Sequence, residues 1–236
     1  MELYAIKYGE NFKYATEDTI YRGMRDSKKV PEFIFLYYLA KYKDRVILFD
    51  TGFRDKITAA NMGITLIDFE NEVKNILDSR GCVDIVFITH SHFDHINNLD
   101  LYDKSTVIIS KLEYDIAINQ SPDPVKSRLK TNNVITIEDE YIYENKFRFK
   151  VIGGHTAGSS VIYFEEEGKQ YVITGDECYS CDNILKNIPI GIYADSQKNE
   201  NFITDAYTSG LIPLPYHDAK IITNYQHISE NIVRII

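Results

Sequence analysis

The chain has 236 residues, 44% hydrophobic and 26% charged, so it can bury its own core without disulfides or a structural metal, and we expect one domain over residues 1–236. It shows no run of about 18 apolar residues and no basic-then-apolar leader, so neither a membrane-spanning helix nor a secretory signal is expected. Its net charge of −9 disfavours nucleic acid and anionic membranes as partners and leaves small molecules, while the oligomeric state stays open.

Apolar runs alternate with polar turns along most of the chain. Runs rich in β-branched and aromatic residues predict strands at residues 33–40, 46–49, 83–88, 106–109, 134–137, 141–143, 147–152, 160–164 and 171–174. Helical spacing and capping residues predict helices at 69–80, at 111–119 after Ser110, and from Asp195 or Ser196 to near Gly210. Residues 121–124 carry two prolines, which predicts a surface loop with no helix across it. This mixture of hairpins and strands between helices predicts an α/β architecture with mixed sheets.

Three of the six histidines lie within one short segment, His90-Ser91-His92-Phe93-Asp94-His95. The segment follows the predicted strand 83–88, so it lies at the carboxyl end of that strand, where α/β sheets usually bind ligands. His90 and His92 would project together from an extended backbone, and Asp94 and His95 would project differently once the chain turns. Imidazole and carboxylate donors suit Zn²⁺ first, with Mn²⁺ or Fe²⁺ as alternatives. One loop can therefore supply ligands to two adjacent metal positions.

Five segments resemble, in the same order, motifs of the metallo-β-lactamase-fold hydrolases. They are Phe49-Asp50-Thr51-Gly52, residues 89–95, residues 153–159, Thr174-Gly175-Asp176 and Pro215-Tyr216-His217-Asp218. Five of the six histidines fall in these segments, which leaves His227 as an ordinary surface residue. The resemblance spans most of the chain and implies a four-layer αβ/βα sandwich with two mixed sheets and a dinuclear metal site along one edge.

By motif position, the resemblance implies two divalent metal ions with a shared ligand. The implied ligands are His90, His92 and His155 for the first ion, Asp94, His95 and His217 for the second, and Asp176 as a bridge. Asp50 is expected to orient the segment from His90 to His95, called here the metal loop, through hydrogen bonds. Alternatively or in addition, it is expected to end its strand in a turn with Thr51 and Gly52. The sequence departs from the usual motifs where Asn97 and Asn98 replace two glycines and where Ala157 replaces a proline.

Within this superfamily the chain is most similar to N-acyl homoserine lactonases, in which a tyrosine follows the bridging aspartate by three residues, as Tyr179 follows Asp176. The resemblance implies that a hydroxide shared by the two ions attacks the carbonyl of a lactone or another ester. Tyr179 would stabilise the oxyanion, and Asp94 or Asp176 would pass a proton to the leaving alkoxide. The alternatives are a thioester hydrolase of the glyoxalase II type, a non-catalytic metal-binding scaffold protein, and a nuclease, against which the acidic balance counts.

The three cysteines, Cys82, Cys178 and Cys181, are an odd number, which predicts a reducing compartment and therefore a cytoplasmic protein. Cys82 precedes an apolar run and is expected in the core. Cys178 and Cys181 form a single CxxC close to Asp176, for which an extra metal ligand or a redox pair is conceivable. We expect two reduced, partly buried thiols instead, because a lone CxxC outside a thioredoxin-like pattern is a weak signal.

Overall fold

Two mixed β-sheets organise the chain in a computed structural model that describes residues 1–11, 15–24, 28–30, 32–68, 73–74, 76–77 and 81–236. The strands in these ranges are β1 (Glu2–Asn11), β2 (Phe33–Tyr42), β3 (Arg45–Phe49), β4 (Thr65–Leu66), β5 (Ile85–Ile88), β6 (Thr106–Ser110), β7 (Val134–Ile137), β8 (Glu140–Tyr143), β9 (Phe147–Val151), β10 (Ser160–Glu166), β11 (Lys169–Ile173), β12 (Ile212–Leu214), β13 (Gln226–His227) and β14 (Ile232–Arg234). The α-helices in these ranges are Glu17–Ile20, Lys56–Met62, Phe93–Ile96, Lys111–Gln120, Asp123–Leu129, Cys181–Leu185, Ser196–Thr208 and Lys220–Asn224, and short 3-10 helices span Leu99–Leu101 and Gly175–Glu177.

The larger sheet has the strand order β13-β14-β1-β2-β3-β5-β6-β7, with β4 paired to β1. Its strands are antiparallel from β13 to β3 and parallel from β3 to β7. The smaller sheet has the order β12-β11-β10-β9-β8, in which only β11 and β12 are parallel. Both sheets are therefore mixed, as the sequence predicts.

Aromatic side chains join the inner faces of the two sheets. The ring centroids of Phe49 and Phe147 lie 5.5 Å apart, and those of Phe87 and Phe149 lie 6.1 Å apart. Helices Lys111–Gln120 and Asp123–Leu129 add Ala117, Val125 and Leu129 to this core. A second buried cluster joins Val161 and Val172 of the smaller sheet to Ile184, Phe202, Ile203 and Ala206 of helices Cys181–Leu185 and Ser196–Thr208. The layers are thus helix, sheet, sheet and helix, which is the predicted four-layer sandwich.

Hairpins join β2 to β3, β8 to β9 and β10 to β11, and the predicted helix starts near Ser110 and Asp195 are present. Ser110 caps helix Lys111–Gln120 by accepting from the backbone N–H of Glu113, and Asp195 caps helix Ser196–Thr208. The predicted helix 69–80 lies largely outside the described residues, although Val73, Lys74 and Ile76 are helical.

The loop predicted for residues 121–124 is wrong over its second half, because a helix begins at Asp123. Pro124 lies in the first turn of this helix, where a backbone N–H has no partner to lose, so proline is tolerated there. Among the described residues, no helix combines the length and apolarity needed to cross a bilayer.

Candidate metal centre

The metal loop leaves the carboxyl end of β5 and enters the short helix Phe93–Ile96. His92 is extended at the start of that helix, whereas Asp94 and His95 lie within it, so their side chains leave the backbone in different directions. Asp94 and His95 are buried, and His92 is exposed. The change of direction expected from the sequence is therefore provided by one turn of helix.

The seven predicted ligands come together in two groups of donor atoms. The groups that could hold a metal ion are His90, His92, His155 and Asp176, and Asp94, His95 and His217. The four segments that supply these ligands follow β5 of the larger sheet and β9, β11 and β12 of the smaller sheet. Both sheets therefore supply ligands at one edge of the sandwich.

The first group is centred on His92. Its Nδ1 atom lies 3.0 Å from Nε2 of His90 and 3.1 Å from Nε2 of His155. Oδ2 of Asp176 lies 3.5 Å from Nε2 of His155 and 3.8 Å from Nε2 of His90. A tetrahedral ion with ligand bonds of about 2.0–2.1 Å places its ligands about 3.3 Å apart, so these separations suit one divalent ion.

The second group faces the other oxygen of Asp176. Oδ1 of Asp176 lies 3.2 Å from Nε2 of both His95 and His217. Oδ2 of Asp94 lies 3.7 Å from the same two nitrogens. Each carboxylate oxygen of Asp176 therefore faces a different set of imidazoles, so this side chain could contact an ion in either group.

The outward nitrogens of the imidazoles fix which nitrogens carry protons. Nδ1 of His217 lies 2.8 Å from the carbonyl oxygen of Ile34, and Nδ1 of His155 lies 3.2 Å from that of Ile192. Because a carbonyl oxygen can only accept, each Nδ1 donates and each Nε2 presents a lone pair to the centre in the neutral ring.

Asp50 fixes the remaining two buried rings. Its carboxylate accepts from the backbone N–H and the hydroxyl of Thr89, each at 2.7 Å, and lies 2.8 Å from Nδ1 of His95. Since the Thr89 hydroxyl donates to Asp50, it can accept from Nδ1 of His90, 3.1 Å away. The hydrogen bonds predicted for Asp50 are present, and they turn Nε2 of His90 and His95 toward the centre.

This donor set fits divalent cations. Within the described part of the chain, buried Nε2 of His95 and Oδ1 of Asp176 have no hydrogen-bond partner, although they lie 3.2 Å apart. Lone pairs face carboxylate oxygens throughout the cluster, and such groups repel unless a positive charge lies between them. Imidazole nitrogens with carboxylate oxygens are the ligands that Zn²⁺, Mn²⁺ and Fe²⁺ accept.

The pKa shifts of the donor residues also indicate that this cluster favours a positive charge. Burial would raise the pKa of Asp176, but His95 and His217 outweigh it and hold that pKa well below its usual range. Burial would lower the pKa of His95, but Asp176, Asp94 and Asp50 outweigh it and raise that pKa well above its usual value. Burial, reinforced by His95, lowers the pKa of His90, so this ring stays neutral.

Two buried carboxylates of the site were not found by sequence reasoning, Glu113 and Glu177. Oε1 of Glu177 accepts from the backbone N–H groups of Gly154 and His155, both at 2.8 Å. Gly154 is required here because a Cβ atom would lie 2.4 Å from Oε2 of Glu177. The position of Glu177 directly after Asp176 was the available signal, but a glutamate alone in a sequence is usually exposed.

The remaining predicted residues have simple surroundings. The hydroxyl of Tyr179 lies 3.4 Å from Nδ1 of His155, beside both groups of donors. Cys178 is buried and Cys181 half-buried, both as free thiols, and burial raises the pKa of each. His227 is exposed, as expected, whereas Cys82 is half-buried, so its expected place in the core is wrong.

Comparison with known proteins identifies the class. Residues 31–201 match the sequence model of the metallo-beta-lactamase superfamily, a span that includes β2 to β11 and six of the seven donors. The fold and the donor set are those of a metal-dependent hydrolase. The chain belongs to the metallo-beta-lactamase superfamily.

Individual relatives are more distant. A probable metallo-hydrolase of Methanocaldococcus jannaschii is 33% identical over 116 residues, which are 49% of this chain and 47% of that protein. An N-acyl homoserine lactonase of Bacillus thuringiensis is 24% identical over 168 residues, 64% of this chain and 67% of that protein. The matched region thus spans about half of the first relative and two thirds of the second. A solved structure of a quorum-quenching N-acyl homoserine lactone lactonase has a TM-score of 0.79 at 18% identity over 96% of both chains, which shows the shared fold.

Proposed function

We propose that this chain uses two divalent metal ions, Zn²⁺ in the first place, to hydrolyse a lactone or another carboxylic ester of a small molecule. The observation that carries the proposal is the pair of donor groups that share Asp176, with the Tyr179 hydroxyl beside them. The similarity to N-acyl homoserine lactonases supports a lactone as the ester.

When bound, the ions would supply an activated water at neutral pH and polarise the substrate carbonyl. The chain would hold them through His90, His92, His155 and Asp176 on one side and through Asp94, His95, His217 and Asp176 on the other. Asp176 is kept ionised by His95 and His217, so it offers both oxygens at neutral pH.

Tyr179 would donate a hydrogen bond to the oxyanion that forms on the carbonyl. Burial raises the pKa of its hydroxyl well above the usual value, and Asp176 and Asp94 raise it further, so the phenol keeps its proton at neutral pH. A donor that is oriented before reaction stabilises an oxyanion more than water does, because no reorganisation is needed.

Asp94 would carry the proton from the attacking water to the leaving alkoxide. Its Oδ2 atom lies 3.7 Å from Nε2 of His95 and of His217. Its backbone oxygen accepts from the hydroxyl of Tyr8 at 2.6 Å, which fixes the start of the short helix Phe93–Ile96. The backbone of Asp94 is therefore fixed, and its carboxylate lies beside the two imidazoles of the second donor group, where it would act as the proton carrier.

The test combines metal analysis with a substrate panel. The zinc-loaded chain is assayed on N-acyl homoserine lactones, simple esters, a glutathione thioester, a β-lactam and a phosphodiester, and its metal content is measured after dialysis. We expect two ions per chain and the highest kcat/KM on lactones or esters. A thioester preference would favour the glyoxalase II alternative, and one ion per chain would contradict the dinuclear proposal. No turnover on any compound with two ions bound would favour the scaffold alternative.

A further inference from the structure

Glu113 is a fully buried carboxylate in the first turn of helix Lys111–Gln120. Its Oε2 atom accepts from the backbone N–H of Ser91 at 2.8 Å and from the Ser91 hydroxyl at 2.6 Å. Its Oε1 atom accepts from the Thr156 hydroxyl at 2.6 Å and from the backbone N–H of Gly158 at 3.0 Å. All four donors are neutral, and no cation pairs with this carboxylate in the described residues.

The four hydrogen bonds of Glu113 join two segments that supply the same group of metal ligands. Ser91 lies between His90 and His92, and Thr156 directly follows His155. One carboxylate thus spans both loops that bring the three imidazoles of the first group together. Other contacts hold the second group: Asp50 contacts His95, although it also reaches His90 through Thr89, and the carbonyl oxygen of Ile34 contacts His217.

The turn over residues 153–159 packs closely against the start of helix Lys111–Gln120. A Cβ atom on Gly158 would lie 2.5 Å from the Ser110 hydroxyl and 2.9 Å from the backbone nitrogen of Glu113. The 153–159 turn is therefore pressed against the start of the helix. Hydrogen bonds from Thr156 and Gly158 to Glu113 and from His155 to Glu177 hold this turn in place.

We propose that Glu113 is a positioning residue that sets the metal affinity of the His90, His92 and His155 group and leaves the affinity of the Asp94, His95 and His217 group unchanged. The inference rests on the proposed two-metal function. Its physical basis is preorganisation: ligands already held in place lose less conformational freedom when an ion binds.

The test measures the affinity of each group separately. His217→Ala removes a ligand of the second group, so the zinc affinity of that variant reports on the first group, which contains His90, His92, His155 and Asp176. His92→Ala provides the converse background. Zinc is titrated into both metal-free proteins in competition with a chromophoric chelator, with and without Glu113→Gln. The glutamine keeps the size of the side chain but places an NH₂ group opposite donors on Ser91 or on Thr156 and Gly158.

In the His217→Ala background we expect Glu113→Gln to raise the dissociation constant of zinc by about 10- to 100-fold. In the His92→Ala background it should change by no more than about twofold. A similar rise in both backgrounds would indicate a general structural role and overturn the inference, as would no rise in either. The exposed Glu138→Gln variant is the matched control and should leave both constants unchanged.

A milder variant covers the case in which Glu113→Gln does not fold. Ser91→Ala removes one of the four hydrogen bonds and keeps the carboxylate, so it should raise the dissociation constant about two- to tenfold in the His217→Ala background only. An unchanged constant there would overturn the inference. If the unsubstituted chain binds no zinc, both the proposed function and this inference fail. If it binds two zinc ions but Glu113→Gln weakens both groups equally, only this inference fails.

Discussion

Tyr179 offers the residue-level test that separates lactone hydrolysis from other uses of the same ligands. Tyr179→Phe deletes one hydroxyl and keeps the ring, which packs 5.6 Å from the ring of His217. Losing an oxyanion donor costs about 10²–10³ in kcat elsewhere, and because bound metal also stabilises the oxyanion we expect about 10² or less, in kcat and not in KM. The measurement is steady-state kinetics on a lactone, with metal content determined for each variant.

Asp176→Asn is the comparison for Tyr179→Phe. It weakens the ligand shared by both donor groups, so it should lower metal content as well as kcat. Wild-type kcat in Tyr179→Phe beside an inactive Asp176→Asn would leave the hydrolase intact and remove the oxyanion role from Tyr179.

At the scale of residues, the ligands that lie close together in the sequence were predicted, and the contacts between residues far apart in the sequence were missed. The His90 to His95 segment carries its chemistry within six positions, so its pattern is legible without a structure. Glu113 acts on Ser91 and Thr156 from another helix, and no spacing in the sequence connects those three residues. Asn98 needs no left-handed backbone, with φ at −100°, and its side chain donates to the carbonyl of Thr51 instead.

The turn over residues 153–159 gives a prediction at the scale of elements. Gly158→Ala should destabilise the fold by about 1–3 kcal/mol, because its Cβ would overlap Ser110 and the start of the next helix. It should also weaken zinc binding, since the turn carries His155. Chemical denaturation and zinc titration measure the two effects.

Gly168→Ala is the control for Gly158→Ala. Gly168 lies in the β10–β11 hairpin at φ +72° with nothing within 4 Å of a new Cβ atom. It should cost about 1 kcal/mol through its left-handed backbone and leave zinc binding unchanged. Equal zinc affinity in the two variants would show that the 153–159 turn does not position His155.

The same scale shows why some elements were predictable. Strand β5 and the centre of β6 are short apolar runs rich in β-branched residues, which are typical of buried parallel strands, and both strands were expected. Strand β1 was not, because Lys7, Gly9 and Glu10 interrupt its apolar pattern; a register shift between Lys7 and Gly9 accommodates the break. Helix Asp123–Leu129 was missed because proline excludes a helix interior but not its first turn.

For the whole molecule, we expect metal removal to lower the thermal stability of the fold without unfolding it. The rings of Phe49, Phe87, Phe147 and Phe149 between the sheets pack on one another, so chelation should leave the far-ultraviolet circular dichroism unchanged. Free zinc at about 100 times its dissociation constant stabilises by about 2.7 kcal/mol for each occupied site, which is about 5–10 °C in Tm per site for a chain of this size. Calorimetry with and without chelator measures the shift, and loss of secondary structure on chelation would contradict the expectation.

The order of the ligands along the chain gives them an order in time. Asp176 completes the group of His90, His92 and His155, whereas the group of Asp94 and His95 is complete only with His217. Chains are synthesised from the amino end, and a domain generally folds as a unit. During synthesis on the ribosome, every donor of the group that Glu113 supports is therefore present before the second group gains His217, so a chain that stops between Asp176 and His217 carries one full donor set and one incomplete set.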